Sequence, residues 1–546
     1  MLKAWVGLAV GVTAAILDGP AEAKTDRLVS REVALALARP SWGSSASGQY
    51  LAGQLAQRTM DYANAAKFLD GALSWAPNNL ELRERVFILM LAEGRLAEAV
   101  PHVRALHRSD PNHMLPSVVD AVDRVIRGDN DGAVAALAEL NGGSFPGLVR
   151  LLGQAWAFAA AGDLPAARAV LAFSENEKAW SAIIAIHAAL IEDVGKTDRA
   201  DAAYDSAVEQ KAAGSGRSAA LVANFEARKG DATVPPLVRN ARDGLAEALF
   251  SITAALNQGN RTLSALIYGQ LALSLRPDSD LVRILVAEVL EKQKRYVAAA
   301  AMFGTIGPDS PNFAVARLAQ ARDLARADLA DEAIAALESL GKAEQDSVDG
   351  LILLGDILRG EHRFAEAVVA YDKAAEKLGT LTDDHWRLLY TRGIALERTG
   401  QWARAEGDLQ QALRIKPDEA FVLNYLGYSW IDRGENLEKA EQMVRRASEL
   451  RPDDGFIADS LGWAYYRAGR FADAVQELER AITLQPVDPV INEHLGDAYW
   501  QIGRKVEARF QWRRALNFEP AATAIPALEE KLQCGLERCI VAHKAN

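Results

Sequence analysis

Cysteine is almost absent from this chain. The 546 residues hold two, Cys534 and Cys539, both close to the C-terminus. No disulfide framework can organise the fold, and two thiols without a nearby histidine pair make only half a zinc site. No charge of one sign dominates. Lys and Arg number 61 against 73 Asp and Glu, and a net charge of −12 is mild over this length. With no Lys/Arg run interleaved with aromatics, nucleic acid is not the expected partner. Beyond the first twenty residues there is no apolar run long enough to span a bilayer.

The usual signatures of chemistry are missing as well. Gly214-Ser215-Gly216 is followed by Arg217-Ser218, not by the Gly-Lys-Ser/Thr of a phosphate loop. No His-Glu-x-x-His occurs. His107, Asp110 and His113 are neighbours in sequence, but they surround an ordinary turn at Pro111. Asp129-Asn130-Asp131-Gly132 has its glycine too early for a calcium loop and no closing Glu. No spacing marks a catalytic triad. The expectation is therefore a non-enzyme with no metal and no cofactor.

What is present is a period. Ala458, Leu461-Gly462, Tyr465, Ala474, Leu478, Ala481 and Pro486 recur 34 residues on as Asn492, Leu495-Gly496, Tyr499, Ala508, Trp512, Ala515 and Pro520. Leu389, Gly393, Leu396, Ala405, Leu409, Ala412 and Pro417 keep the same internal spacing. Each unit holds two stretches with apolar residues at i, i+3, i+4 and i+7, hence two helices. A Gly-centred turn joins them, as at Ala468-Gly469-Arg470. Gly462 and Ala474 fall where the two helices cross, where a larger side chain would push the axes apart. Pro486 stops the second helix.

This pattern resembles the tetratricopeptide repeat. The resemblance implies an all-α, right-handed superhelical solenoid of about thirteen or fourteen helical hairpins with a concave groove. Phased on the small residue that opens each second helix, the units carry Ala65, Ala99, Ala133, Ala167, Ala200, Ala265, Ala299, Ala333, Ala367, Ala405, Ala440, Ala474 and Ala508. One more unit fits between Ala200 and Ala265, broken by Pro235-Pro236. Loop signals place an N-terminal block at 46–213, a degenerate repeat at 214–245, a middle block at 246–378, a C-terminal block at 384–520 and a cap and tail at 521–546.

The two ends carry their own signals. Lys3 precedes the apolar run Ala4 to Leu17, and Ala21-Glu22-Ala23 offers small residues for a signal peptidase. Residues 1–23 thus read as a secretory signal peptide, and the periplasm is the expected compartment. An apolar first helix is the competing reading. In an exported chain Cys534 and Cys539 are expected to pair in a disulfide, with Gly535 supplying the break that lets them meet.

In the family this chain resembles, the first helix of each hairpin lines the groove. In the C-terminal block that implies Tyr390, Phe421, Asn424, Tyr428, Phe456, Asp459, Trp463, Tyr466, Glu493, Asp497 and Trp500 as the partner-binding set. Aromatic anchors of this kind dominate many interfaces. Each ring could equally pack between hairpins as core. The carboxylate clamp of cytosolic chaperone adaptors is missing: the matching positions hold Tyr390, Ile394, Tyr425, Phe456 and Ser460.

The paired units that start at Asn424 and Asp459 resemble bacterial envelope adaptors that serve a carboxyl-terminal processing protease. That resemblance implies a non-catalytic interaction scaffold with protein partners. The lipid-attachment cysteine of those adaptors is absent, and peripheral membrane association stays open. Two other readings compete with it. One is an assembly factor for envelope polysaccharide or lipopolysaccharide export. The other is a repeat-bearing enzyme, for which almost no length remains, since a catalytic domain takes on the order of 100 residues.

Overall fold

The computed structural model describes residues 45–110, 113–138, 144–172, 180–211, 238–343 and 347–536. The signal-peptide segment, the degenerate second helix at Pro235-Pro236 and Cys539 lie outside them. Among the described residues no strand occurs, and helix follows helix in pairs. The chain divides into two compact units, the first ending at Ala327 and the second beginning at Asp328.

In the first unit the pairs are α1 (Ala46–Arg58) with α2 (Tyr62–Trp75), α3 (Leu80–Ala92) with α4 (Leu96–Ser109), and α5 (Met114–Arg127) with α6 (Asn130–Ala138). Next come α7 (Ser144–Ala160) with α8 (Leu164–Ala172) and α9 (Ser181–Val194) with α10 (Ala200–Lys211). Then follow α11 (Ala241–Gln258) with α12 (Thr262–Leu275), α13 (Asp280–Lys292) with α14 (Tyr296–Gly304), and α15 (Phe313–Arg326). The second unit opens with α16 (Ala330–Ala343), then pairs α17 (Val348–Gly360) with α18 (Phe364–Leu378) and α19 (Trp386–Arg398) with α20 (Trp402–Ile415). It continues with α21 (Ala420–Arg433) and α22 (Leu437–Leu450), α23 (Gly455–Arg467) and α24 (Phe471–Leu484), and α25 (Pro489–Gln501) and α26 (Lys505–Asn517). A single helix, α27 (Ile525–Cys534), follows.

The repeat positions do the mechanical work expected of them. Ala65, Ala99, Ala133, Ala167, Ala265, Ala299, Ala333, Ala367, Ala405, Ala440, Ala474 and Ala508 are all fully buried. Ala200 is the exception and is half-buried. A Cβ built on Gly462 would lie 2.6 Å from Leu478 Cγ, sixteen residues on, so the crossing has no room for one. On Gly427 it would lie 2.7 Å from Val444, seventeen residues on. The extra residue is absorbed at Asn436, which caps α22 in the left-handed region at φ 46°.

Each hairpin turn needs one residue at positive φ. Glycine supplies it at Gly94, Gly128, Gly162, Gly400, Gly434, Gly469 and Gly503. Where the sequence offers no glycine, Met60, Lys196, Asn260, Lys294, Asp328 and His362 take the same conformation at φ 51–59°. Such residues carry local strain that hairpin packing must outweigh.

The first unit folds back on itself. Helix α12 packs on both α3 and α5, and α11 packs across α7 and α9. The Arg295 guanidinium bonds Glu93 Oε1 at 2.6 Å and lies over the Tyr62 ring, 4.7 Å from its centroid. Deeper in, Trp156 Nε1 donates to His187 Nδ1 at 3.1 Å, and His187 Nε2 meets Ser251 Oγ at 3.3 Å. One hydrophobic cluster therefore runs from Ala56 to Ala316, through both sides of the break expected between 213 and 246. The reason is physical: the exposed face of a helical hairpin is apolar, and any later helix that reaches it can bury it.

Candidate binding face of the second unit

The sequence-derived set lies on four successive first helices, α19, α21, α23 and α25. Three of the residues, Asn424, Asp459 and Glu493, share one repeat position, and Tyr428, Trp463 and Asp497 share another, one turn further on. First helices of neighbouring hairpins touch, α21 with α23 and α23 with α25, so these ladders run across the unit. Cap chemistry fixes where the last two helices begin. Asp454 Oδ1 accepts from the Phe456 and Ile457 amides, and Asp488 Oδ1 accepts from Val490 and Ile491.

The set separates into two groups by burial. Tyr390, Phe421, Phe456, Trp463, Tyr466 and Glu493 are partly exposed. Asn424, Tyr428, Asp459, Asp497 and Trp500 are buried between hairpins, where side-chain volume from one helix fills the gap to the next.

A stack of rings forms the centre of the face. Trp463 lies flat against His494, with centroids 4.0 Å apart at 15°, and against Tyr466, at 4.7 Å and 8°. Asp459, fully buried, holds His494 Nδ1 at 2.9 and 3.0 Å. Burial works against the imidazolium charge, but Asp459, with Glu493 and Asp497 behind it, raises the His494 pKa above its ordinary value. Towards the chain end, Lys531 Nζ donates to Glu493 Oε1 and Asp497 Oδ2, both at 2.7 Å. Burial pushes the Asp497 carboxyl up despite that cation. Towards α19, Tyr390 and Tyr425 meet edge to face, and Tyr425 donates to Glu397 at 3.2 Å.

Two polar atoms on this face have no protein partner. Asn424 Oδ1 and the Trp463 indole Nε1 are both shielded from solvent and unbonded. One is an acceptor and the other a donor. Buried groups of this kind ordinarily find a partner, so these two are exceptions within the packing of the face.

Sequence reasoning missed three participants. His494 looked like one more helical residue, though it sits beside Glu493 at the following position. Lys531 was legible in principle, because Trp463, Asp497 and Lys531 are spaced 34 apart. Arg392 bonds Asp408 within its own hairpin at 2.7 and 2.8 Å and Asp372 of the preceding hairpin at 3.1 Å, and so ties the two hairpins together. Cys534 is disulfide-bonded, while Cys539 lies outside the described residues. His113 bonds Glu84 and stands apart from any metal-ligating group; among the described residues no cluster of three potential ligands occurs. Also among them, no helix is long and apolar enough to cross a membrane.

Comparison with known proteins agrees with the period. Residues 386–419 and 460–522 each match tetratricopeptide-repeat family models. These two stretches are tetratricopeptide repeats. A TPR repeat-containing protein of Pseudomonas aeruginosa is 26% identical over 199 residues, which is 36% of this chain and 33% of that protein. The match thus spans about a third of that relative's length. Among solved structures, the APC/C hetero-tetramer Cut9-Hcn1 aligns over 91% of this chain and 97% of its own, at 16% identity and a TM-score of 0.39. A MamA from Desulfovibrio magneticus aligns over 32% and 95%, at 18% identity and a TM-score of 0.28.

Proposed function

We propose that the chain is a non-catalytic interaction scaffold of the bacterial cell envelope that grips a segment of a partner protein on the first-helix face of its second unit. The observation that carries this reading is a run of rings left partly open to solvent along successive first helices. Tyr390, Phe421, Phe456 and Tyr466 offer partly exposed rings on the same face. In the first unit, by contrast, α11 and α12 already cover the first helices α7, α9, α3 and α5. Export to the periplasm rests on the N-terminal run and its small-residue site. A carboxyl-terminal processing protease and its substrates are the partners this reading names.

The test is affinity capture from a crosslinked envelope fraction, with the wild-type chain and Phe421→Ala side by side. Capture of a processing protease with its substrates by wild type, reduced in the variant, is the expected result. Capture of polymer-synthesis or outer-membrane assembly proteins instead would overturn the protease assignment. Capture equal to that of an unrelated control would overturn the scaffold itself.

A further inference from the structure

The last described helix is held to the unit by a short apolar edge, Leu528 with the partly buried Leu532 and Leu536, and by a cation. Leu528 is the one fully buried side chain that α27 contributes. Lys531 supplies the main polar tie, through its paired bonds to Glu493 and Asp497. A 3.4 Å bond from Arg509 Nε to the Leu532 carbonyl adds little. At the far end Gly535 rests against Trp500 at φ 74°, in a position where a Cβ would overlap the indole.

The receiving face does not depend on α27 for its shape. Asp497 accepts from Trp512 Nε1 at 2.8 Å, a bond internal to the α25–α26 hairpin. Trp500 stands against Trp512 at 5.4 Å and carries the cations Lys505 and Arg509 over its ring. Glu493 and Asp497 lie one turn apart on α25, so they point the same way whether or not Lys531 is present. Without it, two neighbouring carboxylates would be left with no cation between them, an arrangement that favours taking up a new one.

The connection also permits departure. Residues 518–524 join α26 to α27, and none of them is buried. Glu519 within that stretch sits at φ 52°, a strained conformation for a residue with a side chain. Leaving the unit would cost α27 the burial of Leu528, the packing of Leu532 and Leu536 and the Lys531 ion pairs, and α26 would keep its own core residues Ala508, Trp512 and Ala515.

We propose that α27 is an exchangeable end cap, and that the face it covers, formed by Glu493, Asp497 and Trp500, receives a basic amphipathic helix of a partner protein in its place. The cap states the chemistry the partner must match: an apolar residue followed three positions on by Lys or Arg, as in Leu528 and Lys531. This adds a second surface to the scaffold reading and rests on the chain being an interaction protein.

Two measurements on the full chain test it. The first is amide hydrogen exchange of α27 against α26, in wild type, Lys531→Met and the double variant Glu493→Gln/Asp497→Asn. Faster exchange of α27 than of α26 in wild type is expected, accelerated further in both variants while α26 stays protected. Equal protection of the two helices, unchanged by Lys531→Met, would overturn the proposal. The second uses a synthetic peptide of residues 521–536 with Ser for Cys534 as the probe. It should bind the Lys531→Met chain on the order of tenfold tighter than wild type, and a peptide with Met at 531 should lose that gain. Equal binding of both peptides would overturn the cation requirement. Success here alongside failed envelope capture would remove the protease partnership alone; failure here alongside successful capture would remove the exchangeable cap alone.

Discussion

Trp463 and His494 lie face to face with ring centroids 4.0 Å apart, and the histidine is held at its Nδ1 edge by the buried Asp459. The arrangement ties α23 to α25 through an imidazole, an indole and a carboxylate. It places a titratable group at the centre of the candidate binding face, where its charge is felt by Glu493 and Asp497 as well as Asp459.

The first prediction concerns pH. His494 has a folded pKa raised above its ordinary value, which in an unfolded chain is about 6.5. Its protonation therefore stabilises the second unit fully below that unfolded value. The contribution is lost as pH rises through the raised folded value. An NMR titration should find His494 titrating above the ordinary histidine value, and Asp459→Asn should bring it down. A His494 that titrates at the ordinary value would show that burial outweighs Asp459.

Crossing geometry gives the second. Gly462→Leu forces a side chain into Leu478 and the Ala474 carbonyl, at 2.6 and 3.3 Å from the new Cβ. Overpacking of this kind costs about 1–3 kcal/mol. Thermal unfolding of the second unit should fall accordingly, with the first unit unchanged.

A buried ion pair gives the third. Arg392 and Asp408 have side chains only 15% and 11% exposed. Arg392→Met leaves Asp408 without its cation and should cost about 3 kcal/mol. The double change Arg392→Met/Asp408→Leu should recover most of the loss, because an apolar pair of similar volume needs no solvation. No recovery in the double variant would mean that Asp372 is the more important partner.

The fourth prediction is a stabilising change. Lys294 is exposed and sits at φ 57° in the turn between α13 and α14. Lys294→Gly should raise stability by about 1 kcal/mol, because glycine adopts that conformation without the Cβ clash. Its greater freedom in the unfolded chain offsets part of the gain. Denaturant melts of the full chain decide the sign.

The fifth separates binding from folding. Trp463→Ala removes two stacked contacts, each worth about 0.5–1.5 kcal/mol. It should therefore lower both the stability of the second unit and partner capture. Phe421→Ala removes a partly exposed ring and should lower capture while leaving the melt near wild type. A large drop in the melt for Phe421→Ala would assign that ring to the core.

The sequence by itself determined the helical hairpins and their phase. A 34-residue period fixes which residue meets which inside a hairpin, because Gly462 and Leu478, or Ala474 and the opposite helix, are brought together by local geometry alone. It also placed the candidate face on the first helices of the C-terminal repeats. Only the tertiary structure decided which of those residues stay accessible. Tyr466 and Trp500 hold the same repeat position, yet Tyr466 is partly exposed and Trp500 is covered, by Gly535 at the end of α27 and by Lys505 and Arg509. The same holds for Arg295 and Glu93, 202 residues apart, and for Lys531 with its two carboxylates. Hairpin geometry is a short-range property written in spacing. The closure of the first unit and the capping of the second depend on where the accumulated turn of many hairpins brings distant faces together, and no period records that.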